Sequence, residues 1–205
     1  MGRTSDARER LMKAALSLIW EESYGSVTID DICERAEVKK GSFYYFFDSK
    51  SDLALAALDR LWNESWEPRL NEHFAPTVPP VQRLVNHVAW IHEKQAEIKR
   101  KTGRVLGCPV CSVGSEVSTQ EAKVSAKVRE ICSRKRRYLE TAISDAVAQG
   151  AIAPCDPIEK AASLAALIEG IVSQGRIMND PDIIGRLPAM VLDHLRVKEP
   201  TASSI

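Results

Sequence analysis

The chain carries no surplus of either charge. Its 205 residues hold 28 Lys and Arg against 28 Asp and Glu, so bulk attraction does not draw it to a polyanion, and any basic site must be local. It also lacks an apolar run able to cross a bilayer: the best candidate, Ala161 to Val172, is short and contains Glu169, whereas a span needs about 20 apolar residues. No secretory signal is present, so a soluble, cytoplasmic protein with no membrane partner is expected. Five cysteines in such a chain do not read as a disulfide framework but as reduced thiols. No strand-period segment of useful length and no internal repeat occurs. With 44% hydrophobic residues the chain can still build a real core.

Punctuated helices fill the space these absences leave. Thr28 is a good N-cap, with Asp31 three residues on to complement it, and Ile29, Ile32, Cys33 and Ala36 then recur at helical spacing opposite Asp30, Glu34 and Arg35. After Glu37-Val38, the run Lys39-Lys40-Gly41-Ser42-Phe43-Tyr44-Tyr45-Phe46-Phe47 opens a second short helix. Its two cations and exposed N–H groups favour anions, and Gly41 removes a side chain that would hold a sugar-phosphate strand away. Ser49 with Asp52 forms another capping box, with Lys50 in the first turn. A cation there opposes the helix dipole, so the sequence points to an external phosphate as its partner.

Over roughly residues 5 to 55 these features resemble the DNA-binding domain of TetR-type one-component repressors. The resemblance implies that Thr28 and Lys50 bind phosphates, that Lys39, Lys40, Gly41 and Ser42 open the recognition helix, that Tyr44 and Tyr45 reach backbone or bases, and that Phe43 and Phe47 are core. One departure is Glu37 at the turn, where the family often has Gly. The implied architecture is all-α: a three-helix helix-turn-helix domain over residues 1–48, a larger helical effector-binding and dimerisation domain over 49–198, and a flexible tail over 199–205, with about nine helices in all.

Outside the motif, Asp6 with Glu9 is expected to cap a first helix with Leu11, Ala14, Ala15, Leu18 and Ile19 on one face. A helix from Ser49 carries Leu53, Ala56, Ala57 and Leu61 and ends near Pro68, and another carries Val81, Leu84, Val85, Val88 and Ile91. Lys99 to Gly107 reads as a basic turn. Ser118 with Glu121 would cap a long helix running to Gly150; Asp156, Pro157 and Glu159 open one to about Met178; Asn179-Asp180-Pro181 starts the last. Leu164, Leu167, Ile168 and Ile171, with Ile184, Leu187 and Val191, lie on helices apolar round much of their circumference. They are either intrachain core or, as the resemblance implies, a two-fold dimer interface, which would match a palindromic operator.

Gly107-Cys108-Pro109-Val110-Cys111, followed by Glu116, is a second unusual feature. One Cys-x-x-Cys with no second pair is weak ground for zinc, and no metal or cofactor is expected. Cys108 and Cys111 are either packing residues or a thiol sensor, with Lys99, Arg100, Lys101 and Arg104 available to acidify Cys108. The Gly-Cys with Glu116-Val117 also resembles a TetR-type subgroup, some of whose members sense electrophiles or oxidants through that Cys. Where such members place a lysine partner, this chain has Arg176. Trp62, Trp66, His87, Trp90 and His92 are candidates to line an effector pocket, or ordinary core. The Arg134-Lys135-Arg136-Arg137 run, inside a predicted helix, reads as a solvated face. The expected function is a non-enzymatic, homodimeric repressor that binds double-stranded operator DNA and is released by a small-molecule or thiol-reactive effector. The alternatives are an effector-independent architectural DNA-binding protein and a thiol oxidoreductase using Cys108 and Cys111, which would want a βαβ context that the sequence lacks.

Overall fold

Residues 3–117 and 121–197 are described by the computed structural model, with side chains from Asp6 onward. All regular elements among them are helical: α1 (Arg3–Glu21), α2 (Ile29–Ala36), α3 (Lys40–Phe46), α4 (Lys50–Leu61), α5 (Glu67–His73), α6 (Pro80–Thr102), α7 (Pro109–Val117), α8 (Ala122–Ala148), α9 (Pro157–Ile177), α10 (Pro181–Gly185) and α11 (Leu187–Leu195). A π turn at Trp62–Trp66 joins α4 to α5, and only Arg186, itself right-handed, separates α10 from α11. The described helices thus form nine continuous bodies.

Several ends are set by the residues the sequence nominates. Thr28 Oγ1 accepts from the Asp31 N–H at 3.2 Å while Asp31 accepts from the Thr28 N–H at 2.8 Å, a reciprocal cap. Ser49 caps α4, Asp156 with Pro157 opens α9, and Gly150, at φ 70°, stops α8. Other ends differ. Helix α1 begins before Asp6, which pairs instead with Arg10 one turn on at 3.4 Å. Lys99, Arg100 and Lys101 are the last turn of α6, where cations complement the dipole, rather than a turn of their own. Helix α7 occupies a stretch where no helix is predicted, because Pro109 and Gly114 mask it; Pro109 is in fact its first residue. The Ser118 cap and the 199–205 tail lie outside the described residues.

The helices divide into two compact units, broken at Pro68, Gly107 and Cys132. In the first, α1 packs on α2, α3, α4 and α7, over a core that includes Leu11, Ile32, Phe43, Leu53 and Val110. Each such side chain contributes roughly 1.5–3 kcal/mol on burial. The first unit runs past residue 48, since α4, α7 and the start of α8 share it.

In the second unit α9, α10 and α11 pack together, and α6 packs on α10 and α11. Buried Arg83 donates to Val78 O at 2.7 Å, Pro76 O at 3.2 Å and Asp145 at 2.6 Å, tying the Pro-rich loop to α8. One expectation is corrected here. Leu164, Ile168, Ile184, Leu187 and Val191 are at most 5% exposed within a single chain, so they are protomer core and not available to a partner. Their stripe faces the neighbouring helices. Leu167 and Ile171 are only half-buried, and α9 presents Ala162, Ala166, Gly170, Ser173 and Ile177 to the outside, with Met178 just beyond it and Leu192 exposed on α11.

Candidate nucleic-acid interface and sensor region

Helix α3 is held from one side and bare on the other. Phe43 and Phe47 are 0% and 5% exposed, whereas Tyr44 and Tyr45 are 53% and 75% exposed, the two exposed aromatics among the described residues. Two large rings left in water on one short helix call for a partner surface. Lys39 and Lys40 are exposed beside them and Ser42 is half-buried; a Cβ built on Gly41 meets nothing within 4 Å. Lys39, at the head of α3, makes no side-chain cap, so the first N–H groups are not covered by it. Lys40 pairs with Asp30 at 2.7 Å, but both are exposed and such pairs are weak and exchangeable. The chain therefore places Lys39, Lys40, Gly41, Ser42, Tyr44 and Tyr45 on or beside one accessible surface.

Lys50 is used differently from the sequence expectation. Its Nζ donates to Tyr24 O at 2.7 Å and to Val27 O at 2.9 Å, and sits 4.4 Å from the centre of the Tyr24 ring. The ammonium is thus committed to the turn between α1 and α2, and this internal role accounts for a cation in the first turn of α4. Burial lowers the Lys50 pKa despite the carboxylates of Glu116 and Glu121, and burial pushes Tyr24 up to about 12. The same turn is gripped from α7: Glu116 accepts from the Tyr24 N–H at 2.9 Å and the Gly25 N–H at 2.6 Å. A Cβ on Gly25 would lie 2.6 Å from the Glu116 carboxylate, so glycine is what lets it approach. Thr28 likewise spends its hydroxyl on Asp31, at 2.7 Å. Sequence reasoning missed this use of Glu116 because nothing local links residues 91 positions apart.

Glu37 closes α2 at φ 52°, with its N–H directed at Cys33 O and Glu34 O. The turn keeps the left-handed geometry that glycine prefers, and Glu37 adopts it at a steric cost.

The segment before Cys108 is tied down by polar side chains. Buried Gln95 accepts from the Leu106 and Gly107 N–H groups at 3.1 and 2.8 Å and donates to Gly107 O at 3.0 Å. Asn179 accepts from the Val105 N–H at 2.8 Å, and Lys99 donates to Asn179 O at 2.7 Å. Gly107 sits at φ 70° with Arg176 packed on it: a Cβ there would lie 3.3 Å from that side chain. Lys99 and Lys101, the latter paired with Glu97 at 2.6 Å, have partners of their own. None of the five cysteines forms a disulfide; Cys108, Cys111 and Cys132 are half-buried, Cys155 is exposed, and Cys33 is buried with its pKa raised by burial and by Asp30.

Of the aromatic candidates, the structure joins His87 and Trp90, one turn apart on α6, stacked at 23° with centroids 6.2 Å apart. His73 lies 6.3 Å from His87 and 5.9 Å from Trp90, and Phe74 packs between His87 and Tyr138 at 5.5 and 5.4 Å. His87 is fully buried; burial, then Lys135, then His73 hold its pKa down to about 3, so the ring is neutral. Trp62, buried, and Trp66 belong to the π turn of the first unit. His92 faces away, against Gly185, because five residues of helix turn it off the His87 face. Arg136 and Arg137 are exposed, Arg136 pairing with Glu140 at 3.0 Å as on a solvated helix face, whereas Arg134 and Lys135 are half-buried and Lys135 pairs with Glu169 at 2.8 Å.

Two family models match. Residues 11–57 fit "Bacterial regulatory proteins, tetR family", and residues 81–191 fit "Tetracyclin repressor-like, C-terminal domain". The chain is 27% identical to the transcriptional regulator AcuR of Cereibacter sphaeroides over 178 residues, 86% of this chain and 79% of that protein. It is 24% identical to the transcriptional repressor NemR of Escherichia coli over 177 residues, 84% and 85%. The crystal structure of regulatory protein TetR from Rhodobacter sphaeroides superposes with a TM-score of 0.79 at 25% identity, covering 92% of this chain and 98% of that one.

Proposed function

The chain belongs to the TetR family of bacterial regulatory proteins, and from that premise we propose that it represses transcription as a homodimer released from its operator by a small-molecule or thiol-reactive effector. It is a DNA-binding transcriptional regulator. The observation that carries the reading is the face of α3, where Lys39, Lys40, Tyr44 and Tyr45 stand exposed while Phe43 and Phe47 lock the helix from behind. Lysines and N–H groups of this helix supply phosphate contacts, and the tyrosines supply rings and hydroxyls for sugar, phosphate or base edges. Dimerisation through the exposed faces of α9 and α11 would set two such helices against half-sites one turn of DNA apart, about 34–36 Å. An effector that binds one arrangement of the dimer better than the other then shifts the balance away from DNA. The thiol arm of the reading rests on Cys108 and Cys111, two half-buried cysteines outside any disulfide, at the start of the helix that carries Glu116 to the Tyr24 turn.

Fluorescence anisotropy with DNA from upstream of the protein's own gene tests this. Tyr45→Ala should abolish sequence preference with little change in thermal stability, because the ring is 75% exposed and its ring contact is with the neighbouring Phe46. A mild thiol oxidant should release the native protein and leave Cys108→Ser bound if the thiol is the sensor; oxidant-indifferent binding assigns release to a pocket ligand. Absence of specific binding by the reduced native protein overturns the repressor reading.

A further inference from the structure

His73 Nδ1, His87 Nδ1 and Trp90 Nε1 are all shielded from solvent and have no hydrogen-bond partner, and they belong to rings whose centres lie within 6.3 Å of one another. Buried polar atoms are almost always paired, since an unmet one forfeits its hydration for nothing. Three together, in one aromatic cluster of the second unit, offer hydrogen-bonding capacity that the chain itself does not use. We propose that His73, His87 and Trp90 bind an uncharged, planar aromatic ligand bearing hydroxyl or carbonyl groups. The inference rests on reading the chain as an effector-responsive regulator and names the chemistry of its effector.

Each element of that class answers a feature of the cluster. The rings of His73, Phe74, His87, Trp90 and Tyr138 offer π faces and edges that suit a flat ring. The Trp90 indole can only donate, so the ligand must carry an acceptor; each imidazole Nδ1 accepts or donates according to tautomer, which a hydroxyl matches either way. The ligand is uncharged because the cluster offers no counter-ion. His87 is neutral; Lys135, the cation bearing on it, is paired with Glu169 at 2.8 Å, and Arg69, the cation bearing on His73, is paired with Glu72 at 2.7 Å. A buried carboxylate would lose its hydration with nothing to replace it. Tyr138 does not compete for the ligand, because its hydroxyl donates to Asn71 at 2.6 Å.

The test uses the full chain, labelled with ¹⁵N at tryptophan, and 4-hydroxybenzamide as the probe. The Trp90 indole signal, assigned through Trp90→Phe, should shift at about millimolar probe, the range expected for a ligand this small. At neutral pH the anion 4-hydroxybenzoate, and separately toluene, should bind about tenfold or more weakly, the first for want of a counter-ion and the second for leaving the nitrogens unmet. His87→Phe keeps an aromatic ring but removes the polar atoms, and should weaken the amide about tenfold with operator affinity unchanged. Should that variant fail to fold, Trp90→Phe, read by calorimetry, gives the same comparison. A Trp90 signal unmoved by the amide, equal binding of all three probes, or full affinity in His87→Phe overturns the proposal. A high-resolution crystal structure soaked with the amide and showing ordered water alone on the three nitrogens overturns it too. Operator binding by the ligand-free native protein is measured in parallel: if it persists while Trp90 is silent, only the ligand site falls, and if it is lacking, the regulator reading falls with it.

Discussion

Glu116 holds Tyr24 by its backbone: one carboxylate oxygen accepts from the Tyr24 N–H at 2.9 Å and the other from the Gly25 N–H at 2.6 Å. The turn that leads into the DNA-binding helices is thereby fastened to α7, the helix that Cys108 precedes. Charge-assisted bonds of this kind are stronger than neutral ones. Glu116→Gln keeps the shape but turns one acceptor into a donor that faces an N–H. It should cost roughly 1–2 kcal/mol in urea unfolding and speed hydrogen exchange at the Tyr24 and Gly25 amides selectively. Unaltered exchange at those two amides would show that the contact is not maintained in solution.

Lys50 and Lys39 should separate in salt titrations of DNA binding. A residue on a phosphate sets the salt slope, and losing one such contact lowers it by about 0.9. Lys39→Ala should do this without loss of stability. Lys50→Met, which removes the ammonium from Tyr24 O and Val27 O, should instead destabilise the fold by roughly 1–2 kcal/mol and weaken binding with the slope unchanged. A reduced slope for Lys50→Met would return that side chain to the DNA.

Glu37 sits at φ 52°, where a side chain meets the following carbonyl. Glu37→Gly should raise stability by roughly 0.5–1 kcal/mol, the relief of αL strain less the added freedom of the unfolded chain. Glu37→Ala should give no such gain, since it retains the Cβ. Thermal unfolding of the three proteins decides it.

His87 makes stability depend on acid. Its folded pKa is about 3, against about 6.5 when unfolded, so between these values the unfolded chain binds the extra proton. Stability is fully present above about pH 6.5 and falls as pH drops towards 3, by up to about 1.4 kcal/mol per unit. Urea unfolding at pH 7 and 5.5 should therefore show roughly 1 kcal/mol more loss in the native chain than in His87→Phe. Equal losses would mean that the imidazole is reached by water.

What could be read along the chain was whatever is encoded within a few residues. Thr28 with Asp31, Ser49 with Asp52 and Asp156 with Pro157 all cap where their spacing says, because a cap involves one turn of backbone. The outward Tyr44 and Tyr45 and the core Phe43 and Phe47 are what the family resemblance implies, and their exposure and burial match it. Helix α7 was not legible, since Pro109 and Gly114 read as breakers until Pro109 is recognised as a first helical residue. The partner-facing surface was misread for a different reason: Leu164, Ile184 and Val191 look the same in sequence whether their apolar face meets α6, a neighbouring helix of the same chain or a second protomer.

The sequence by itself determined that the chain is built of capped, amphipathic helices, because capping, periodicity and local charge are properties of short stretches, while the resemblance carried by residues 5 to 55 is what pointed to a DNA-binding regulator. Only the tertiary structure decided that Lys50 serves the Tyr24 turn, that Gln95 and Asn179 set the segment before Cys108, and that three unmet nitrogens share one cluster. Those outcomes depend on which atoms far apart in the chain come within hydrogen-bond reach, and packing rather than spacing settles that.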